Sequence, residues 1–140
     1  MKKWALGVLV LGILLGSPAA AEKGQEGEAL DAATAWIALV DQGDYAKSWQ
    51  EAAEAFKKGV TQEEWVNALT ANRSPLGQAM SRKVATKESK TSPPGAPEGE
   101  YVGIKYETVF ERRGTMNEEV TPMRDKDGKW RVSGYYIYTP

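Results

Sequence analysis

Between Ala29 and Leu69 the apolar residues recur every third or fourth position; between Val102 and Tyr138 they recur every second. The first spacing is that of helices with one buried stripe and the second that of half-buried strands. Ala29, Ala33, Trp36, Ile37 and Val40 form the stripe of a first helix, which Gly43 should stop. Asp44 is placed to cap a second helix carrying Tyr45, Trp49, Ala52, Ala53 and Phe56 inward, with Gly59 at its end. Thr61 and Glu64 have the spacing of a capping box and open a third helix that buries Trp65, Ala68 and Leu69. Pro75 ends it.

Beyond Gly77 the period shortens. Residues 79–91 read as a strand, and residues 92–99, with prolines at 93, 94 and 97, as a loop that cannot join a ladder. Residues 101–110 make a strong strand with Val102, Ile104, Tyr106, Thr108 and Phe110 inward. A shorter strand, 119–124, leads through Asp125-Lys126-Asp127-Gly128 into the last one. Alternation there turns Trp130, Val132, Gly134, Tyr136 and Tyr138 inward, and Arg131, Ser133, Tyr135 and Ile137 outward. Helices followed by strands imply an α+β domain over residues 28–140: three N-terminal helices packed on one face of a four-stranded antiparallel meander.

The first residues follow another logic. Lys2 and Lys3 precede an uncharged, largely apolar run over residues 4–15, and Ala19-Ala20-Ala21 supplies a small-residue cleavage site. The run is too short for the ~20 residues that span a bilayer. Residues 1–21 are therefore expected to be a signal peptide cut after Ala21, with delivery to the periplasm or secretion and no membrane attachment after cleavage. Residues 22–27, which carry no apolar side chain, are expected to be a flexible spacer.

Of the 140 residues none is cysteine or histidine. This excludes disulfides, nucleophilic triads built on histidine, and nitrogen or sulfur metal sites. No glycine-rich phosphate loop is present either, so no cofactor is expected. Residues 22–70 hold four basic and ten acidic side chains; residues 71–140 hold twelve basic and nine acidic. That balance lacks the strong basic footprint of a nucleic-acid partner. The carboxylate pairs Asp41/Asp44, Glu63/Glu64, Glu118/Glu119 and Asp125/Asp127 are read as caps, turns and solvated faces, and no catalytic residue is assigned.

Two aromatic groupings remain. Trp36, Trp49, Tyr106, Trp130 and Tyr136, with Arg73 as a polar handle, are candidates to line a ligand cavity between helices and sheet, although the same stripes serve as core. Arg131, Tyr135 and Ile137 are candidates for a protein contact on the outer sheet face.

The pieces A-x-x-W-I-x-L-V-D-x-G-D-Y-x-x-S-W, R-x-P-L-G, P-G-A-P-x-G-E-Y-V and V-T-P-M-x-D-K-D-G-x-W-R-V-S-G-Y-Y-I resemble an exported bacterial family, domain of unknown function four-thousand-nineteen. The resemblance runs from about Ala32 to Ile137 and implies no activity. The element order is similar to the cystatin-like and nuclear-transport-factor-like roll, a statement about fold alone. The functional expectation is an exported, non-catalytic module binding a small ligand or an envelope protein. A self-associating envelope protein, including a homodimer, is the alternative, followed by a roll-fold isomerase or dehydratase using a pocket carboxylate.

Overall fold

The computed structural model describes residues 18–140, so most of the expected signal peptide lies outside the described residues. Helix α1, Pro18–Asp41, buries Ala29, Ala33, Trp36, Ile37 and Val40, the stripe read from the spacing. It ends where Gly43 adopts a φ of +77°. The Gly43 amide then donates to Val40 O at 3.0 Å and the Asp44 amide to Leu39 O at 2.9 Å, a paired closure of the last carbonyls. The helix also runs through residues 22–27, expected as a spacer. Glutamate, lysine and glutamine there are good helix formers, and Glu26 is anchored by a bond from the Ser89 hydroxyl at 3.0 Å.

The expected second helix is two. Helix α2, Tyr45–Gln50, stops, and α3, Glu54–Gly59, starts again three residues later. Ala52 and Ala53 between them are fully buried, and Ala53 is extended so that its amide donates to Val132 O at 2.8 Å on the last strand. Two methyl side chains let the backbone approach that strand, and the bond gained there outweighs helical continuity. Asp44 stands at the N-terminus of α2 without a side-chain cap bond. The predicted capping box does form on α4, Gln62–Asn72, with Thr61 and Glu64 bonding each other's amides at 3.2 and 3.3 Å. A 3-10 turn, Ser74–Leu76, follows.

Four antiparallel strands succeed in order: β1 Ala79–Thr91, β2 Glu100–Phe110, β3 Gly114–Arg124 and β4 Trp130–Tyr138. The class is α+β with a meander sheet, as expected, but with one more α-helix than the sequence suggested. The inner face of β2 is buried as read, and β3 is longer than expected because it pairs with β2 back to Gly114. Gly128, at φ +83°, closes the β3–β4 turn, where the Asp125 amide donates to Lys129 O at 2.8 Å.

The face assignment of β4 is corrected. Thr121 lies opposite Gly134 but Pro122 lies opposite Val132, leaving Ser133 as a bulge. Proline has no amide proton for the ladder, so the pairing breaks beside it. The Ser133 hydroxyl instead donates to Thr121 O at 2.8 Å. Past the bulge the alternation inverts: Tyr135 is 8% exposed in the core and Tyr136 is 67% exposed. The expected outward Tyr135 and inward Tyr136 are both reversed.

Candidate functional site

Glu118 alternates with Met116 and Val120 along β3, so its side chain enters the face that the helices cover. A carboxylate buried there is tolerable only with hydrogen-bond partners. It has three. Oε1 accepts from the Thr108 hydroxyl at 2.5 Å and from Arg82 Nε at 2.9 Å, and Oε2 accepts from the Tyr135 hydroxyl. The far end of the Arg82 guanidinium forks onto Asp41, Nη1 to Oδ2 at 2.7 Å and Nη2 to Oδ1 at 2.9 Å.

Asp41 is the last residue of α1, where the helix dipole disfavours a negative charge. Two arginines offset this, since Arg73 Nη2 also donates to Asp41 Oδ1, at 3.2 Å. Arg73 is itself buried, donates from Nη1 to Gly77 O at 2.6 Å, and lies 4.7 Å from the centre of the Phe110 ring. One continuous polar chain thus ties α1, the end of α4 and all four strands.

The charges respond to one another. Burial pushes the Asp41 carboxyl up, but the hydrogen bonds and charges of Arg82 and then Arg73 outweigh it and hold it below the usual range. Burial likewise works against the Arg82 cation, and Asp41 and Glu118 more than compensate. Burial, then the charge of Glu118, raises the Tyr135 phenol well above its ordinary value. In the β3–β4 turn Asp127 is lowered by its bonds from Arg131 and the Lys129 amide; Asp125, although burial opposes it, is lowered by the Lys126 and Glu54 amides and Arg131.

These directions set a pH profile. Depressed aspartates contribute stability that is whole above their unfolded value of about 3.9 and is lost as pH falls through the folded values. A raised tyrosine contributes stability that is whole below about pH 10 and is lost as pH rises through its folded value. The denaturation midpoint is therefore expected to be nearly level from about pH 5 to 9 and to fall on both sides. A clear step at pH 6–7, measured by urea titrations across the range, would contradict this assignment of charges.

The sequence candidates do not converge. Trp36 and Tyr106 are core residues, with Trp36 Nε1 donating to Ser48 O at 2.7 Å. Trp49 Nε1 donates to Val60 O at 2.8 Å. Arg73 belongs to the buried polar chain. Trp130 is half-buried and shares with Trp36 a shallow groove of about 490 Å³ between α1 and β4. Tyr136 is exposed and, with Tyr135, lines a different groove, between α4 and β4. Nor do Arg131, Tyr135 and Ile137 make an outer patch: Tyr135 is buried, Ile137 is half-buried against the core, and Arg131 is engaged by Asp127 with two bonds of 2.8 Å.

A larger groove, about 670 Å³, lies between α4 and the C-terminal half of β4. Its apolar lining includes Trp65, Leu69, Leu76, Met116 and Ile137. One wall is set by two backbone bonds, from the Glu111 amide to Gln78 O at 2.9 Å and from the Arg112 amide to Leu76 O at 3.0 Å. Exposed Arg112 and Arg113 also line the groove, no acidic residue does, and neither arginine has an ion-pair partner among the described residues. Apart from Tyr136, sequence reasoning missed this groove, and it missed the buried chain. The signal for the latter was the alternation of Met116, Glu118 and Val120.

Among the described residues no cluster of three or more metal-ligating side chains occurs, and no helix is long and apolar enough to cross a membrane. A family model described as "Protein of unknown function (DUF4019)" matches residues 32–135. No curated protein matches the chain.

Proposed function

We propose, for a chain that belongs to the family of proteins of unknown function DUF4019, the role of an exported, non-catalytic binding module whose ligand lies in the groove between α4 and β4. The observation that carries the non-catalytic part is the state of Glu118. Both its oxygens are occupied by Thr108, Arg82 and Tyr135, and the side chain is shut off from solvent. A general acid or base needs reach to a substrate proton. Here the carboxylate is fully buried and bonded to side chains of the other three strands, and through Arg82 to Asp41, so its role is to hold the sheet to the helices. The groove offers the opposite: an open apolar hollow of a size common for small-molecule sites, with polar groups at its border.

The export part rests on Lys2, Lys3, the apolar run after them and the small residues at 19–21. N-terminal sequencing of protein recovered from the periplasm is expected to begin at Glu22; a retained Met1 would defeat it. Native mass spectrometry of the same material tests the binding role. A bound small molecule released unchanged on denaturation is the expected result. Chemical turnover of that molecule, lost in a folded Glu118→Gln variant, would assign an enzyme instead.

A further inference from the structure

We propose that the groove between α4 and β4 takes a small amphipathic anion: a carboxylate carried on an alkyl or aryl body. This names the ligand class for the site just described and rests on that reading. Two features of the groove lead to it. Its apolar lining, with Trp65, Leu69, Leu76, Met116 and Ile137, gains by covering hydrocarbon, and Asn72, Tyr135 and Tyr136 add neutral polar groups. Its charged lining is of one sign. Arg112 and Arg113 are consecutive at the β2–β3 turn, exposed, and without carboxylate partners among the described residues.

The contrast within the same protein is informative. Arg73, Arg82, Arg124 and Arg131 are each matched to an aspartate or glutamate. The guanidinium fork fits a carboxylate with two parallel bonds, and it does so best beside a surface that excludes water. The backbone bonds that fix the Arg112 amide to Leu76 O hold this turn against the 3-10 turn, so the arginines are presented on a set framework. A cation on the same body would meet two positive side chains and no acid. A neutral body would gain from the apolar interior alone.

The test uses three probes with one tail and different heads: decanoate, decanol and decyltrimethylammonium, each below its micelle concentration. Binding is read by calorimetry and by the shift of the indole N–H resonance of Trp65, which lines the groove and donates to the buried Ser48 hydroxyl at 2.9 Å. Decanoate is expected to bind most tightly, and the Arg112→Gln/Arg113→Gln variant to weaken it about tenfold or more, with the weakening fading at high salt. Both arginines are exposed, so the variant should fold, and circular dichroism verifies that. Equal binding of the three probes, unchanged in the variant, overturns the anion assignment and leaves a binding groove. No binding of any probe overturns the groove as the site as well.

Discussion

Glu118→Ala is expected to destabilise the protein by about 3–5 kcal/mol, the range for removing one partner of a buried ion pair. Three groups lose their acceptor at once. The hydroxyls of Thr108 and Tyr135, both buried, lose the acceptor of their protons, and Arg82 keeps Asp41 and a long bond from Nε to the Thr108 hydroxyl at 3.3 Å. Against a total of ~5–15 kcal/mol for a domain of this kind, the variant should stand near its unfolding threshold at room temperature. Glu118→Gln retains the shape and one acceptor oxygen and should cost less. Glu118→Leu combined with Tyr135→Phe should cost less than the sum of the two single changes, because each single change strands the other's polar atom. Urea denaturation of the set provides the comparison. A loss under about 1 kcal/mol in Glu118→Ala would mean that the pair behaves as a solvated one.

Trp36→Ala should cost a similar ~3–5 kcal/mol for a different reason, the deletion of a large buried ring. Trp36 is 4% exposed, its ring centre lies 5.4 Å from that of Tyr135 and 6.1 Å from that of Trp65, and its indole N–H donates to Ser48 O. Trp36→Phe separates packing from the hydrogen bond, since the phenyl ring keeps most of the contact but leaves that carbonyl without its donor. Trp130, read from the sequence as facing inward, is a weaker position. It is half-buried at the border of a groove, and its indole nitrogen is enclosed without a protein partner. Trp130→Ala should therefore shift the midpoint less than Trp36→Ala, and the reverse order would give the anchor role to Trp130.

Much of the fold was legible where one physical demand dominated. The stripe of α1, the Thr61–Glu64 cap, and the alternation of β2 each follow from local spacing, and each is present. Two features were hidden because a tertiary contact decides them. Nothing local at Ala52–Ala53 opposes a helix; the break exists because the Ala53 amide meets Val132 O. Likewise Ser133 is an ordinary strand position until Pro122 is placed opposite, and only the pairing register brings the two together. That one bulge inverted the reading of Tyr135 and Tyr136, one in each group of candidate residues. The buried chain escaped notice because β3 was read as starting at Glu119, one residue past the carboxylate at its centre.

The contact of the Trp36 ring with that of Tyr135 joins opposite ends of the described chain. Such pairing of distant segments lengthens the search for the native state, because a long loop must close before the contact rewards it. It also fixes an order of events during synthesis. The apolar stripe of α1 emerges well before its partner on β4, so a growing chain leaves that stripe uncovered until Tyr135 has been made. Folding of this domain is thereby deferred until β4 has been made, which leaves the growing chain open to whatever machinery engages it first.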